Sequence, residues 1–225
     1  MRVAPSMTTS PIVDRGRATE VDVQRTSVSR ADLRGAIGRA HQKITGSAPS
    51  PALLDVLTAH ASLETGSGAK MYNFNFGGIK GASPSGETAR MRTKEVIGGH
   101  EIEIRDGFRS YRTLDEGALD YVRLMRNRFG AAVARAEAGD IDGFAHALKQ
   151  AHYYTADESK YASALRGLSS LSSRMDDAPS LVADARPRVT QTAAVFPDSF
   201  ELGRVLDAIA RHPATVDDRD LDDDA

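Results

Sequence analysis

Cysteine is absent from the 225-residue chain. That excludes disulfides, thiolate metal sites and a cysteine nucleophile, and it is neutral about compartment. A dominant charge sign is missing too. With a formal net charge of -2 and a pI near 6.3, nucleic-acid binding through a general basic field is not expected. No stretch approaches the ~20 apolar residues of a membrane span, and the opening MRVAPSMTTSPIVDRGRATE has no apolar run of signal-peptide length. Work outside the cytoplasm would therefore require a dedicated export machine or release by lysis. Familiar catalytic signatures are lacking as well. The six histidines show no HExxH or other metal spacing. There is no GxSxG elbow, and GGIKGASPSGET lacks the phosphate-loop order GxxxxGK[ST]. No metal and no cofactor is implied.

The composition that remains, 40% hydrophobic and 27% charged, suits a globular protein. Residues 1–28 are polar and without period, and read as a flexible arm. Ser29 is placed to cap RADLRGAIGRAHQKI, in which Leu33, Ile37, Ala40 and Ile44 recur at helical spacing, with Gly46 as its stop. Ser50-Pro51 opens a second helix, apolar on most faces through Leu53, Leu54, Val56, Leu57, Ala61 and Leu63. RMRTKEVIGGHEIEIRDGFRSY alternates around Gly98-Gly99 and Asp106-Gly107, which suggests a β-hairpin, alone or with a short third strand. Thr113 and Glu116 have capping-box spacing. Further helices are expected near 131–138, 141–150 (capped by Asp140) and 157–171. The expected core is thus residues 29–173. Residues 174–225 read as linker, one short amphipathic helix and a solvated acidic tail.

Chemistry concentrates in HASLETGSGAKMYNFNFGGIKG. Glu64 falls at the end of the buried helix, where terminal carbonyls and apolar neighbours both disfavour its charged form. A carboxylic acid kept protonated near neutrality can protonate a glycosidic oxygen. Gly66 and Gly68 leave room beyond it, and Tyr72, Phe74 and Phe76 with Asn73 and Asn75 suit a sugar cleft. Taken alone, a glutamate at a helix end more often reads as a solvated surface residue. Glu95, just before the Gly98-Gly99 turn, is a candidate second carboxylate, with Glu101 and Glu103 as rivals. Two carboxylates across a cleft would suit glycoside hydrolysis, with their separation deciding the stereochemistry. Tyr153, Tyr154 and Tyr161 form a third cluster in QAHYYTADESKYA, where half-buried packing is the plainer reading.

AHASLETGSG, NFGGIKG, TKEV, GFRSYRTLDEGALDYVRLM and AHYYTADESKYASAL follow one another over about residues 50–170. In that order they resemble the bacterial glucosaminidase domain, glycoside hydrolase family 73, which includes the flagellar peptidoglycan hydrolase and cell-separating autolysins. The resemblance implies a mainly α, α+β fold: a lysozyme-like helical lobe, a small β-hairpin lobe and a cleft between them. It implies peptidoglycan glycan strands as substrate, cut at the β-1,4 bond after N-acetylglucosamine. Glu64 corresponds to the family's general acid and Glu95 to its hairpin carboxylate. Tyr153 matches a tyrosine that supports the site, Tyr161 a second and more structural one, and Asn75 and Phe76 the cleft wall.

The chain departs from the family at Ser67, where a tryptophan usually follows the glutamate, and at His152 and Tyr154, where small residues are usual. A lytic transglycosylase is the rival within enzymes, and a peptidoglycan-binding assembly module the rival outside them. The implied place of action is the periplasm or cell wall. One setting this would suit is a secreted cell-wall-degrading toxin, with a secretion or assembly machine and an immunity protein as the partners of that reading.

Overall fold

Ser29, Ser50 and Thr113 cap the three helices they precede. Ser29 and Asp32 form a complete capping box at the start of α1 (Arg30–Thr45), and Gly46 closes that helix in the left-handed region at φ 80°. The Ser50 side chain accepts from the Leu53 amide at the head of α2 (Pro51–Thr65), with Pro51 in the first turn. Thr113 accepts from the Glu116 amide at α3 (Leu114–Arg128). The reciprocal arm of that box shifts by one residue, since Glu116 accepts from the Arg112 amide rather than from Thr113. α4 (Gly130–Glu137), α5 (Ile141–Gln150, capped by Asp140) and α6 (Glu158–Asp176) complete the helices. The computed structural model describes residues 18–97 and 100–176, with 93–97, 100–102 and 171–176 described by backbone alone. The helix expected in DSFELGRVLDAIARH and the acidic tail lie outside the described residues.

α2 is the central element. Leu53, Val56, Leu57, Ala59, Ala61 and Thr65 are all buried, because α1, α4 and α6 pack around it. A helix enclosed in this way keeps little solvent face beyond its first turns, which is why its sequence shows little amphipathic period. α1 also packs on α3, and α5 on α4 and α6. One core joins them through Ile37, Met125, Phe144, Leu148 and Leu165.

Gly117 records how tightly α3 meets the segment after α2. A Cβ there would stand 2.0 Å from the Phe74 carbonyl oxygen and 3.4 Å from the Phe76 ring. In an open helix Gly→Ala gains about 1 kcal/mol. Gly117→Ala is expected instead to cost about 2–3 kcal/mol, as overpacking against backbone does. The measurement is the shift of the denaturant midpoint.

The small lobe is a sheet ordered β1-β2-β3. β2 (Glu87–Ile97) and β3 (His100–Arg109) pair antiparallel from Thr88↔Arg109 at the base to Ile97↔His100 beside Gly98-Gly99. Asp106-Gly107, expected from sequence to mark a turn, lies within β3. The glycine serves close cross-strand approach, since a Cβ on it would stand 2.8 Å from Thr88 Oγ1. Asp106 accepts from the Gly107 amide and pairs with Lys80 at 2.8 Å. The hairpin base is tied to α3 by Asp120, whose Oδ2 accepts from Tyr111 Oη (2.6 Å) and Arg109 Nη1 (2.7 Å).

The third strand comes from the segment read as flexible arm. β1 (Thr19–Val21) pairs parallel with β2, Thr19 opposite Glu87. Residues 22–28 then run as a strap along the loop that follows α2. The Val28 amide donates to Gly68 O and the Thr26 amide to Met71 O, while Gln24 and Asn73 exchange bonds through the Asn73 amide and side chain. Arg25 and Ser27 both donate to the Ala69 carbonyl. The strap satisfies its backbone against an irregular loop rather than a regular ladder. It therefore has no period for a sequence reading to find.

Candidate active site

Glu64 sits in the last turn of α2 and is 8% exposed. The chain behind it reverses through three consecutive left-handed residues, Gly66 (φ 56°), Ser67 (φ 57°) and Gly68 (φ 86°). Thr65 braces the reversal, its hydroxyl donating to Ala61 O and accepting from the Gly68 amide. Gly68 is required twice over: its φ is positive, and a Cβ would stand 2.4 Å from the Val28 carbonyl of the strap. The glycines of SLETGSG thus serve the turn and the strap as well as any space beyond the acid.

Glu64 Oε1 accepts from Tyr161 Oη of α6 at 3.0 Å. The Tyr161 ring is held by stacking on Tyr154 at 3.8 Å, and Tyr154 donates to Ala145 O. His60, one turn before Glu64, places Nε2 3.7 Å from the same Oε1. Its Nδ1 lies 2.7 Å from Tyr121 Oη of α3, and its ring touches Tyr153 at 5.0 Å and Phe144 at 5.5 Å.

Burial decides the charges here. It pushes the Glu64 carboxyl up to about 7, with the Tyr161 hydroxyl pulling weakly the other way. The same burial pushes His60 down to about 3. The His60–Glu64 approach is therefore a contact between a neutral ring and a neutral or singly charged acid, not an ion pair. Tyr121, Tyr153 and Tyr161 are raised well above the ordinary phenol range, first by burial and then by the nearby Glu64 charge. All three serve as neutral groups.

Tyr153 and Tyr161 take different positions around the helix that carries Glu64. Tyr161, expected to be structural or to touch substrate, is the one bonded to the acid. Tyr153, 1% exposed, packs on His60 and Phe129, with its hydroxyl over Gly77. Two expected substrate contacts are corrected. Phe76 is 0% exposed and stacks on Tyr121 at 5.7 Å, so it belongs to the core beneath the site. Asn75 is buried with its amide fully engaged. Nδ2 donates to Ile79 O and Arg109 O, and Oδ1 accepts from the Ile79 and Gly77 amides. It staples the loop to the hairpin and has no bond left for a sugar. Tyr72 stays half-buried beside the strap, its backbone bridged to Arg25. Glu95 takes its place in β2 opposite Ile102, by backbone.

Sequence reasoning missed His60 and Tyr121 as neighbours of the acid. The signal for His60 was present, since residues four apart share a helix face. Tyr121 was legible only as part of a packing stripe. Among the described residues no three histidine or acidic side chains converge as metal ligands.

Six helices with α2 at their centre and a small three-stranded sheet beside them are the architecture of a lysozyme-like glycoside hydrolase, with Glu64 buried at the end of the central helix. The chain belongs to the glucosaminidase family, whose model, described as mannosyl-glycoprotein endo-β-N-acetylglucosaminidase, matches residues 47–170. Over 107 residues it is 33% identical to the peptidoglycan hydrolase FlgJ of Vibrio cholerae, covering 44% of this chain and 32% of that protein. It thus spans about a third of the length of this curated relative. The catalytic domain of the autolysin Auto from Listeria monocytogenes superposes with a TM-score of 0.50 at 23% identity, over 67% of this chain and 88% of that domain, and shares its fold. The truncated glycoside hydrolase domain of Salmonella typhimurium FlgJ aligns with a TM-score of 0.45 at 26% identity, over 64% of this chain and 95% of that one.

Proposed function

We propose that this protein hydrolyses the β-1,4 bond between N-acetylglucosamine and N-acetylmuramic acid in peptidoglycan, with Glu64 as general acid. The observation that carries the reading is the Glu64 carboxyl, buried at a helix terminus and held protonated to about pH 7. Such a group has its proton available at the pH where it must be given away. Tyr161 aims it by holding Oε1, which leaves the proton on the other oxygen. As the glycosidic C–O bond lengthens, that proton passes to the leaving oxygen while positive charge develops at the anomeric carbon. Water then completes the reaction, placed by Glu95 from β2 or assisted by the substrate's own acetamido group. Tyr72, half-buried on the loop after α2, is the candidate aromatic contact for the sugar. The FlgJ relative of Vibrio cholerae is a peptidoglycan hydrolase, which supports the substrate class and, with it, the cell wall as place of action.

Product analysis tests the bond and the reaction together. Mass spectrometry of digested sacculi is expected to show N-acetylglucosamine at new reducing ends, each cut adding one water. Fragments ending in 1,6-anhydro muramic acid would instead make the protein a lytic transglycosylase. Binding to sacculi without any cut would make it a recognition module.

A further inference from the structure

His60 is 0% exposed, yet its Nε2 has no hydrogen-bond partner. A buried polar atom left in this way destabilises the fold, and an aliphatic residue would pack the same space without that cost. The atom is aimed at something: Glu64 Oε1 lies 3.7 Å away. Which ring nitrogen carries the proton follows from the other side of the ring. Tyr121 Oη has two acceptors in reach, His60 Nδ1 at 2.7 Å and the Leu57 carbonyl at 3.3 Å. We assign the phenol proton to the nearer acceptor, Nδ1, which puts the ring's own proton on Nε2, facing the acid. Oε1 already accepts from Tyr161, so a second donor there meets a lone pair and not a proton.

We propose that His60 is a positioning residue of the acid. Aimed by Tyr121, its Nε2–H closes on Glu64 Oε1 as the carboxyl gives its proton from Oε2 to the leaving oxygen, and withdraws when the proton returns. His60 stays neutral and keeps its own proton throughout. The carboxylate formed in the reaction is then held by two neutral donors on one oxygen, Tyr161 and His60. This rests on the reading of Glu64 as the acid. It goes beyond that reading by assigning a function to a residue that otherwise belongs to the core. Among the described residues, the titratable groups facing Glu64 are His60 on α2, Tyr121 on α3, Tyr153 before α6 and Tyr161 on α6, and the three phenols do not titrate in the working range.

The sign follows from the chemistry. A donor to the charged form of an acid lowers its pKa, so losing that donor raises it. Carboxyl ¹³C titration of Glu64 in the resting enzyme is expected to place the midpoint of His60→Leu about one unit above wild type. His60→Gln, whose amide can donate from a similar position, should return to within a few tenths of a unit of wild type. In turnover the alkaline limb of kcat should move in parallel, with kcat reduced about tenfold and KM unchanged. In the wild-type imidazole, ¹⁵N shifts should show a protonated Nε2 and a bare Nδ1. A proton on Nδ1, or a Leu midpoint equal to wild type, overturns the proposal. The ¹⁵N measurement needs no variant and decides alone if His60→Leu does not fold. Both resonance measurements are independent of turnover. If Glu64 proves not to be the acid, that failure will appear in Glu64→Gln activity while the spectra still report on His60.

Discussion

Glu64→Gln is expected to lower the release of reducing ends from purified peptidoglycan by about 10²–10⁴-fold, the usual contribution of a positioned general acid, while making the protein more stable at pH 8. The two effects have one cause. The folded carboxyl has a pKa of about 7, against an ordinary value of 4.5. Raising it means the fold favours the protonated form. The stability tied to that preference is fully present below pH 4.5. It is lost as pH climbs through the window from 4.5 to about 7, by on the order of 3 kcal/mol. Glutamine has no charge to bury at any pH, so it escapes the loss. Denaturant unfolding of both proteins should give matching stabilities near pH 4.5 and a more stable variant at pH 8. Activity and stability moving in opposite directions mark a residue kept for function. A variant that keeps its activity and matches wild-type stability at both pH values would show that Glu64 is an ordinary carboxylate.

Removing the strap is expected to have the next largest effect. A chain beginning at Ser29 loses the bonds that Gln24, Thr26 and Val28 exchange with the 68–73 loop, the Asn73 side-chain bonds to Gln24 N and Asp22 O, and the Thr26 hydroxyl on the Phe74 amide. At about 1 kcal/mol net for each of these six bonds, the cost is on the order of 6 kcal/mol relative to a chain beginning at Thr19. Activity should fall as well, about tenfold or more. The loop that loses its partner begins four residues after Glu64, and small displacements of a group acting as the general acid are costly. Thermal unfolding and turnover of the two truncated chains test this directly. Equal melting and equal rates would reduce the strap to decoration.

These two expectations differ in how far the sequence anticipated them. Glu64 was legible because several local signals agree there: a capped apolar helix ends, glycines follow, and the ordered motifs downstream match one family. The Ser29, Ser50, Thr113 and Asp140 caps were legible for a similar reason, since a cap bonds within its own first turn. The strap was not legible, because its partners lie more than forty residues away and its own residues carry no period. Asn75 and Phe76 show a subtler limit. Their motif was recognised, but their side chains turn inward to staple and fill, and a motif does not say which way a side chain points.

The amino-acid order by itself determined the helices of the described core and their starts, the hairpin around Gly98-Gly99, the family and the candidate for its acid, because each is encoded within a few residues or in an ordered set of short motifs. Only the tertiary structure decided the state of that acid and the company it keeps. Burial among α2, α3 and α6 holds its proton to about pH 7. Packing also brings Tyr161, 97 residues distant, to its oxygen and gives His60 a partner 61 residues away. Desolvation and hydrogen bonding between distant segments are properties of the assembled interior, and no local stretch of chain contains them.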